Sequence, residues 1–162
     1  MTIEQRQSSL AAMCERYHSR CPVCGDVNPH GLRVAFNACD NDTVEATVVC
    51  SPDREGYAGR LHGGVVASLL DGAMTNCLFS FGIQAVTGEL LVKLMLPLKA
   101  GAPIAVRGWI ERRRPPLYLL RAELRQYGRL SARGTAKFVR THNPSITGDL
   151  CAVAPGAKCN ED

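Results

Sequence analysis

The most apolar part of the chain contains a single carboxylate, at Asp71. The residues after the turn His62-Gly63-Gly64 have apolar side chains at helical spacing, which predicts a helix with one broad apolar face. A helix of this kind is expected to be buried. Burying a carboxylate is costly unless it is hydrogen-bonded or takes part in chemistry. Asp71 is therefore either an acid that bonds the backbone or a catalytic group.

The paired glycines form the other half of a candidate site. The first backbone N–H groups of a helix have no acceptor within the helix, and they lie at the positive end of its dipole. Gly63 and Gly64 have no side chains, so a ligand oxygen can approach these groups closely, as a developing oxyanion requires. Gly64, Ser68 and Asp71 share a narrow stripe of the predicted helix, which makes Gly64 and Ser68 candidates for substrate contact. Close packing is the alternative role for Gly64.

The distance between Gly63 and Asp71 suggests that two chains share one site. Asp71 follows Gly63 by about two helical turns, a rise of about 12 Å. One chain can hardly place both groups on a single carbonyl carbon at that separation. A site that uses both is easier to build from two subunits, each of which supplies one part.

Three stretches of the sequence resemble the PaaI-like hotdog thioesterases, within the 4-hydroxybenzoyl-CoA thioesterase superfamily. Residues 56–74 resemble their central helix, which begins at a Gly-x-x-His-Gly-Gly turn and carries an acidic residue. Residues 21–32 resemble an N-terminal Cys-x-x-Cys-Gly…Asn-Pro-x-Gly-Leu element, and residues 87–101 resemble the strand after the helix. The resemblance covers about residues 20 to 141.

The resemblance also implies roles for individual residues. Asp71 would act as general base on water or as nucleophile on a thioester. The Gly63 N–H would bind the oxyanion, and His62 would orient the turn rather than transfer protons. Thr87 occupies the place of a Ser or Thr near the carboxylate; an ordinary strand residue is the alternative. Several relatives have Asn at the position of Gly56, so this chain needs another group to assist the carbonyl or the water.

The charge of the chain fits a small anionic ligand. A formal net charge of +4 favours a ligand such as coenzyme A, but it is far from the charge of a nucleic-acid-binding protein. Aromatic residues make up only 6%, which argues against base stacking. Arg112 and Arg113 belong to a basic loop between predicted strands. They are candidates for contact with coenzyme A phosphates, with a solvated turn as the alternative.

Eight cysteines in a chain without a secretion signal are expected to be free thiols in the cytoplasm. Cys21 and Cys24 form a Cys-x-x-Cys pair, which is half of a zinc site, and His30 and Cys39 would complete one on paper. We expect a reduced turn instead, with no metal and no cofactor. No apolar run approaches the about 18 residues that cross a membrane.

The order of the predicted elements defines an α+β protein. The predicted strands are 33–36, 43–49, 85–96, 104–113, 117–127 and 130–140, with a hairpin turn at 40–42. A polar helix is predicted over 3–18, and the long apolar helix is expected to end at about 81, before Gly82. The hotdog fold that the resemblance implies wraps an antiparallel sheet around that helix. We expect a helical extension over 1–20, one hotdog domain over 21–142 and a flexible tail over 143–162.

The function that the sequence favours is acyl-CoA thioesterase activity, which converts an acyl- or aryl-CoA to a carboxylic acid and coenzyme A. A homodimer or homotetramer is expected, without a nucleic acid partner. Two alternatives remain, a non-catalytic acyl-CoA-binding hotdog module and a hotdog dehydratase or hydratase. The dehydratases and hydratases place their His and acid differently from this chain.

Overall fold

The computed structural model describes residues 1–141, which form two α-helices and six β-strands. No helix within this range is long and apolar enough to cross a membrane. In chain order the elements are α1 (Ile3–Tyr17), β1 (Asn37–Cys39), β2 (Thr43–Val49), a 3₁₀ turn (Pro52–Arg54), α2 (Gly63–Phe79), β3 (Ala85–Leu94), β4 (Pro103–Arg114), β5 (Leu117–Gln126) and β6 (Arg129–Arg140).

The six strands form one antiparallel sheet in the order β1-β2-β4-β5-β6-β3. Buried and exposed residues alternate along β2, β4, β5 and β6, so one face of the sheet is apolar and the other carries charged side chains. Helix α2 packs on the apolar face and buries eleven of its residues. The predicted α+β class and the hotdog arrangement of a sheet around one helix are confirmed.

A glycine in β4 allows α2 to approach the sheet closely. A Cβ atom at Gly108 would lie 2.7 Å from the carbonyl oxygen of Ala73, in the middle of α2. Any side chain at this position would push the helix away from the sheet. Close contact here fixes the height of the helix, and with it the position of Asp71.

Most predicted elements lie within two or three residues of the observed ones, but the first predicted strand is wrong. Residues 33–36 belong to no strand, and β1 begins only at Asn37. The reason is that this segment bonds to the cysteine turn instead: the N–H groups of Leu32 and Val34 donate to the carbonyl oxygens of Pro22 and Val23, both at 2.8 Å.

Helix α1 is attached to the rest of the fold by a buried arginine. The Arg6 side chain donates to the carbonyl oxygens of Cys39 (2.7 Å) and Thr43 (2.9 Å) and to Ser80 Oγ (3.0 Å). Its guanidinium carbon lies 4.4 Å from the centre of the Phe81 ring. One side chain thus joins α1, the β1–β2 hairpin and the end of α2. The predicted tail, residues 143–162, lies outside the described residues, and the proposed domain boundaries remain predictions.

Replacing Arg6 should therefore destabilise the fold. In Arg6→Met, two buried carbonyl oxygens lose their charged donor, and the free energy of unfolding should fall by about 3 kcal/mol. Urea denaturation followed by circular dichroism measures this change. The exposed Arg20 is the matched control, and Arg20→Met should change stability by less than about 0.5 kcal/mol. Equal stability of the two variants would contradict the role given to Arg6.

Candidate active site

Asp71 and Thr87, which are far apart in the sequence, meet between α2 and the edge strand β3. Thr87 Oγ1 donates a hydrogen bond of 2.8 Å to Asp71 Oδ1. Thr87 faces the helix at the start of an irregularity in the β3–β6 pairing, which lies between Thr87 and Glu89. The bond occupies one carboxylate oxygen and leaves Asp71 Oδ2 for another partner.

The surroundings of Asp71 disfavour its negative charge. Burial raises the pKa of the carboxyl above its usual value, while the hydrogen bond from Thr87 and the charge of nearby His18 act in the opposite direction. A partly desolvated carboxylate holds a proton more readily than one in water. Such a group is suited to take up a proton during a reaction.

His62 caps the start of α2 through its own side chain. Its Nδ1 accepts a hydrogen bond of 2.9 Å from the Gly64 N–H, so the neutral ring carries its proton on Nε2. Two glycines make room for the ring. A Cβ at Gly64 would lie 3.0 Å from His62 Nδ1, and a Cβ at Gly56 would lie 3.1 Å from His62 Cδ2. The imidazole therefore fills the space next to Gly56.

The cap distinguishes the two glycines of the turn. The Gly64 N–H is already bound to His62, whereas the Gly63 N–H has no acceptor among residues 1–141. Gly63 also borders an apolar groove between the start of α2 and the end of β3. The groove is lined by Leu61, Gly63, Val66 and residues 94–98. A free N–H at the positive end of a helix can donate to an anionic oxygen that enters the groove.

The other predicted contact residues do not gather at this groove. Ser68 Oγ donates to the carbonyl oxygen of Gly64 at 2.9 Å, within its own helix. The sequence placed Arg112 and Arg113 in a loop. Both residues lie instead at the end of strand β4. Arg113 pairs with Asp42 at 3.3 Å and lies over the Phe81 ring at 4.0 Å, beyond the end of α2 opposite Gly63. Arg112 forms no ion pair within the described part of the chain.

The fold also gathers a group of side chains that the sequence did not single out together. The ligand atoms of His18, Cys21 and Cys24 all lie within 4.8 Å of one another. His30 and Cys39, which the spacing offered as partners of the cysteines, lie outside this group. The signal in the sequence is the regular spacing His-x-x-Cys-x-x-Cys from residue 18 to residue 24.

Comparisons with known proteins agree with this architecture. The family model described as "Thioesterase superfamily" matches residues 58–132, from the turn before α2 into β6. A solved structure of a thioesterase superfamily protein is 24% identical over 73% of this chain, with a TM-score of 0.70. This chain spans only 62% of that protein's length. A search of curated proteins finds no match.

Two further solved structures share the fold. The PaaI protein from the phenylacetic acid degradation operon of E. coli is 18% identical, covers 87% of this chain and 96% of its own, and has a TM-score of 0.73. A Streptococcus mutans protein described as bound to acetyl CoA is 19% identical, covers 67% and 88%, and has a TM-score of 0.62.

The helix-in-sheet architecture is that of the hotdog fold, which the PaaI structure shares. The thioesterase superfamily model matches 75 of the 162 residues, and this similarity agrees with the resemblance that the motifs indicated. The roles of individual site residues remain predictions.

The hydrogen bond between Thr87 and Asp71 has a measurable effect. In Thr87→Val the side chain keeps its shape but loses its donor, so the pKa of Asp71 should rise further, because that hydrogen bond lowers it. NMR titration of carbon-13-labelled aspartate carboxyls measures the shift. Thr47→Val, on the exposed face of β2, should leave the Asp71 titration unchanged. An unchanged or lower Asp71 pKa in Thr87→Val would exclude the hydrogen bond in solution.

Proposed function

We propose that this protein hydrolyses an acyl- or aryl-CoA thioester to a carboxylic acid and coenzyme A. The observation that supports the proposal most directly is the half-buried Asp71 carboxylate, whose Oδ1 is held by Thr87 at 2.8 Å. The N–H of Gly63, which borders an apolar groove and has no acceptor among residues 1–141, would supply the second element that thioester hydrolysis needs. The match of residues 58–132 to the thioesterase superfamily model supports the same reaction class.

In the proposed reaction Asp71 drives attack and Gly63 stabilises the developing charge. A water oxygen bonds to the carbonyl carbon while its proton passes to Asp71 Oδ2, the oxygen that Thr87 leaves unbound. The tetrahedral oxyanion accepts a hydrogen bond from the Gly63 N–H. The C–S bond then breaks, and the sulfur leaves with the bonding electrons and takes up a proton to give free coenzyme A.

Asp71 can also act as a nucleophile. Its oxygen would then bond to the carbonyl carbon and expel the thiolate, and water would hydrolyse the resulting anhydride. Single-turnover hydrolysis in oxygen-18 water detects the nucleophilic route when water attacks the aspartyl carbon of the anhydride, because heavy oxygen then enters Asp71, which the general-base route never labels. Both routes use the same residues and require neither a metal nor a redox cofactor. His62 serves in both as the residue that shapes the turn.

We propose that the active unit is at least a dimer that forms along β3. This ten-residue strand lies at the edge of the sheet and carries exposed apolar side chains, with Val86 at 43%, Leu91 at 57% and Leu94 at 58% exposed. A long apolar edge strand is normally covered by another chain. Thr87 and the groove beside Gly63 both lie along β3, so a partner seated there would adjoin both halves of the site.

The substrate class follows from the groove and from the related structures. Apolar side chains around Gly63 suit a hydrocarbon or aryl group. The S. mutans protein, described as bound to acetyl CoA, supports a coenzyme A ester as the ligand. Arg112, Arg113, Ser68 and Gly64 remain our candidates for contacts to its polar part. Free thiols at all six described cysteines suit the reducing cytoplasm, where we place the enzyme.

Replacing the carboxylate tests the mechanism. Asp71→Asn keeps the size of the side chain and an acceptor for Thr87, but the amide is neither base nor nucleophile. Thioester hydrolysis, followed with a thiol reagent over a panel of acyl-CoAs, should fall by about 10²-fold or more. Near-normal turnover by a folded oligomer of this variant would exclude the proposed role of Asp71.

The same variant should be more stable than the natural chain, which separates lost chemistry from misfolding. Because burial raises the pKa of Asp71 in the folded state, its contribution to stability is present at low pH and lost as the pH rises through that pKa. At pH 7 the neutral amide avoids the cost of burying a charged carboxylate, so the free energy of unfolding should rise. This gain in stability should shrink in acid, where Asp71 itself is protonated.

Wild-type protein that binds acyl-CoA but releases no thiol would instead be a binding module. Hydration of an enoyl-CoA without thiol release would indicate a hydratase.

A mixing experiment tests whether two chains share the site. Asp71→Asn chains and Gly63→Val chains should each be inactive, while a mixed dimer holds one intact and one doubly altered site. After the two are unfolded and refolded together, half of the dimers are mixed and each has one working site, so about a quarter of full activity should return. Each variant refolded alone is the control. No recovery despite proven mixed dimers would place the whole site within one chain.

A further inference from the structure

The turn that follows α1 holds three metal-binding side chains close together, His18, Cys21 and Cys24. His18 Nδ1 lies 3.7 Å from Cys24 Sγ, and His18 also contacts the Cys21 thiol. Around a tetrahedral zinc ion, two sulfurs lie about 3.8 Å apart, and a sulfur and a nitrogen about 3.6 Å apart. Separations of at most 4.8 Å are therefore within about 1 Å of those in a bound site.

A fourth ligand is at hand on α1. Cys14 lies one helical turn before His18, so the two side chains share a face of the helix. Its thiol is next to that of Cys24 and donates to Asn76 Oδ1 at 3.1 Å. It lies more than 4.8 Å from at least one of the other three ligand atoms, so a small shift of its side chain would complete the site. Cys14, His18, Cys21 and Cys24 together provide three sulfurs and one imidazole nitrogen, a ligand set that structural zinc sites use.

The backbone around the two central cysteines is already shaped for a metal. The Val23 N–H donates to the Cys21 sulfur at 3.4 Å. Hydrogen bonds of this kind orient a ligand and stabilise its thiolate. Gly25 is required by the tight turn, because a Cβ there would lie 2.5 Å from the backbone N of Cys21 and from the carbonyl oxygen of Ser19.

We propose that Cys14, His18, Cys21 and Cys24 bind one zinc ion. Binding replaces three thiol protons, which pass to solvent, with one divalent cation held by three thiolates and a neutral imidazole. Soft sulfur and imidazole ligands select zinc over magnesium or calcium. Because four protein groups leave no position open for a substrate, the ion is structural. From the sequence we expected a turn without metal. We now propose a metal site there, because α1 brings His18, and not His30, to the cysteines.

The site would brace the helix that carries Asp71. Val23, between the two central cysteines, packs on α2 so closely that a Cβ at Gly72 would lie 2.6 Å from Val23 Cγ1. Gly72 is the neighbour of Asp71 in the chain. His18 also packs edge-on against Phe79 of α2, with ring centres 4.7 Å apart. A metal that fixes the turn would therefore also fix Val23 and His18, the side chains that pack on α2.

Metal loading of the full chain tests this proposal without reference to activity. Purified, reduced protein is stripped with a chelator and reloaded with Zn²⁺ or Co²⁺. We expect one ion per chain by elemental analysis, and a cobalt spectrum with strong tetrahedral and thiolate-to-cobalt bands. Cys21→Ser/Cys24→Ser should weaken binding by at least about 100-fold, more than the loss of an outer hydrogen-bond partner costs. Cys14→Ser should still bind the metal, but with lower affinity and with less thiolate-to-cobalt absorption.

Three control variants keep the cluster intact. Cys39→Ser, His30→Gln and Cys151→Ser/Cys159→Ser should each bind one ion with unchanged affinity and spectrum. Stoichiometric binding that survives loss of Cys21 and Cys24, or that disappears with any control variant, would place the metal elsewhere and overturn the proposal. An unchanged cobalt spectrum in Cys14→Ser would overturn the four-ligand assignment.

A measurement on the natural chain covers the case in which the cysteine variants fail to fold. Zinc loading should reduce the number of rapidly reacting thiols by three and raise the melting temperature, and a chelator should reverse both effects. Reduced wild-type protein whose thiol count and melting temperature do not respond to zinc would contradict the proposal. Purified protein with a Cys21–Cys24 disulfide that still binds no metal after treatment with a reductant would also contradict the proposal.

Discussion

Helix α2 is enclosed on both sides, by the apolar face of the sheet and by α1 with the cysteine turn. Two glycines set these contacts, Gly108 towards the sheet and Gly72 towards Val23. The Asp71 carboxylate on this tightly packed helix is partly buried, and its burial raises its pKa. The hydrogen bond from Thr87 compensates part of that cost. The candidate chemistry thus depends on the packing of one apolar helix.

Much of the fold could be predicted because its signals are periodic. Alternation along β4, β5 and β6 and the helical spacing in α2 reflect which side chains face the core, and burial imposes both patterns directly on the sequence. The resemblance carried by the His-Gly-Gly turn and its downstream acid correctly indicated the hotdog fold. Residues 33–36 also alternate, but their backbone bonds to the cysteine turn, a competing partner that no local pattern reveals.

The parts of the site that escaped prediction depend on contacts between distant elements. His18 joins the cysteines only because α1 ends beside the turn and packs on α2. Arg113 looked like a free cation in the sequence, yet it pairs with Asp42 and covers Phe81 in the fold. Gly64 looked like a ligand donor, yet its N–H is taken by the ring of His62. In each case a partner far away, or a side-chain rotamer, decides what the residue can do.

The order of the strands constrains how the chain can be made. Strand β3 is synthesised right after α2, but its neighbour in the sheet is β6, the last strand of the described chain. A nascent chain therefore carries an apolar strand without a pairing partner until residues 129–140 have left the ribosome. Thr87 can reach Asp71 in its final geometry only after that late pairing. A truncation at residue 132, where the family match ends, would leave β3 with only the Leu94–Ala132 pair of its contacts to β6.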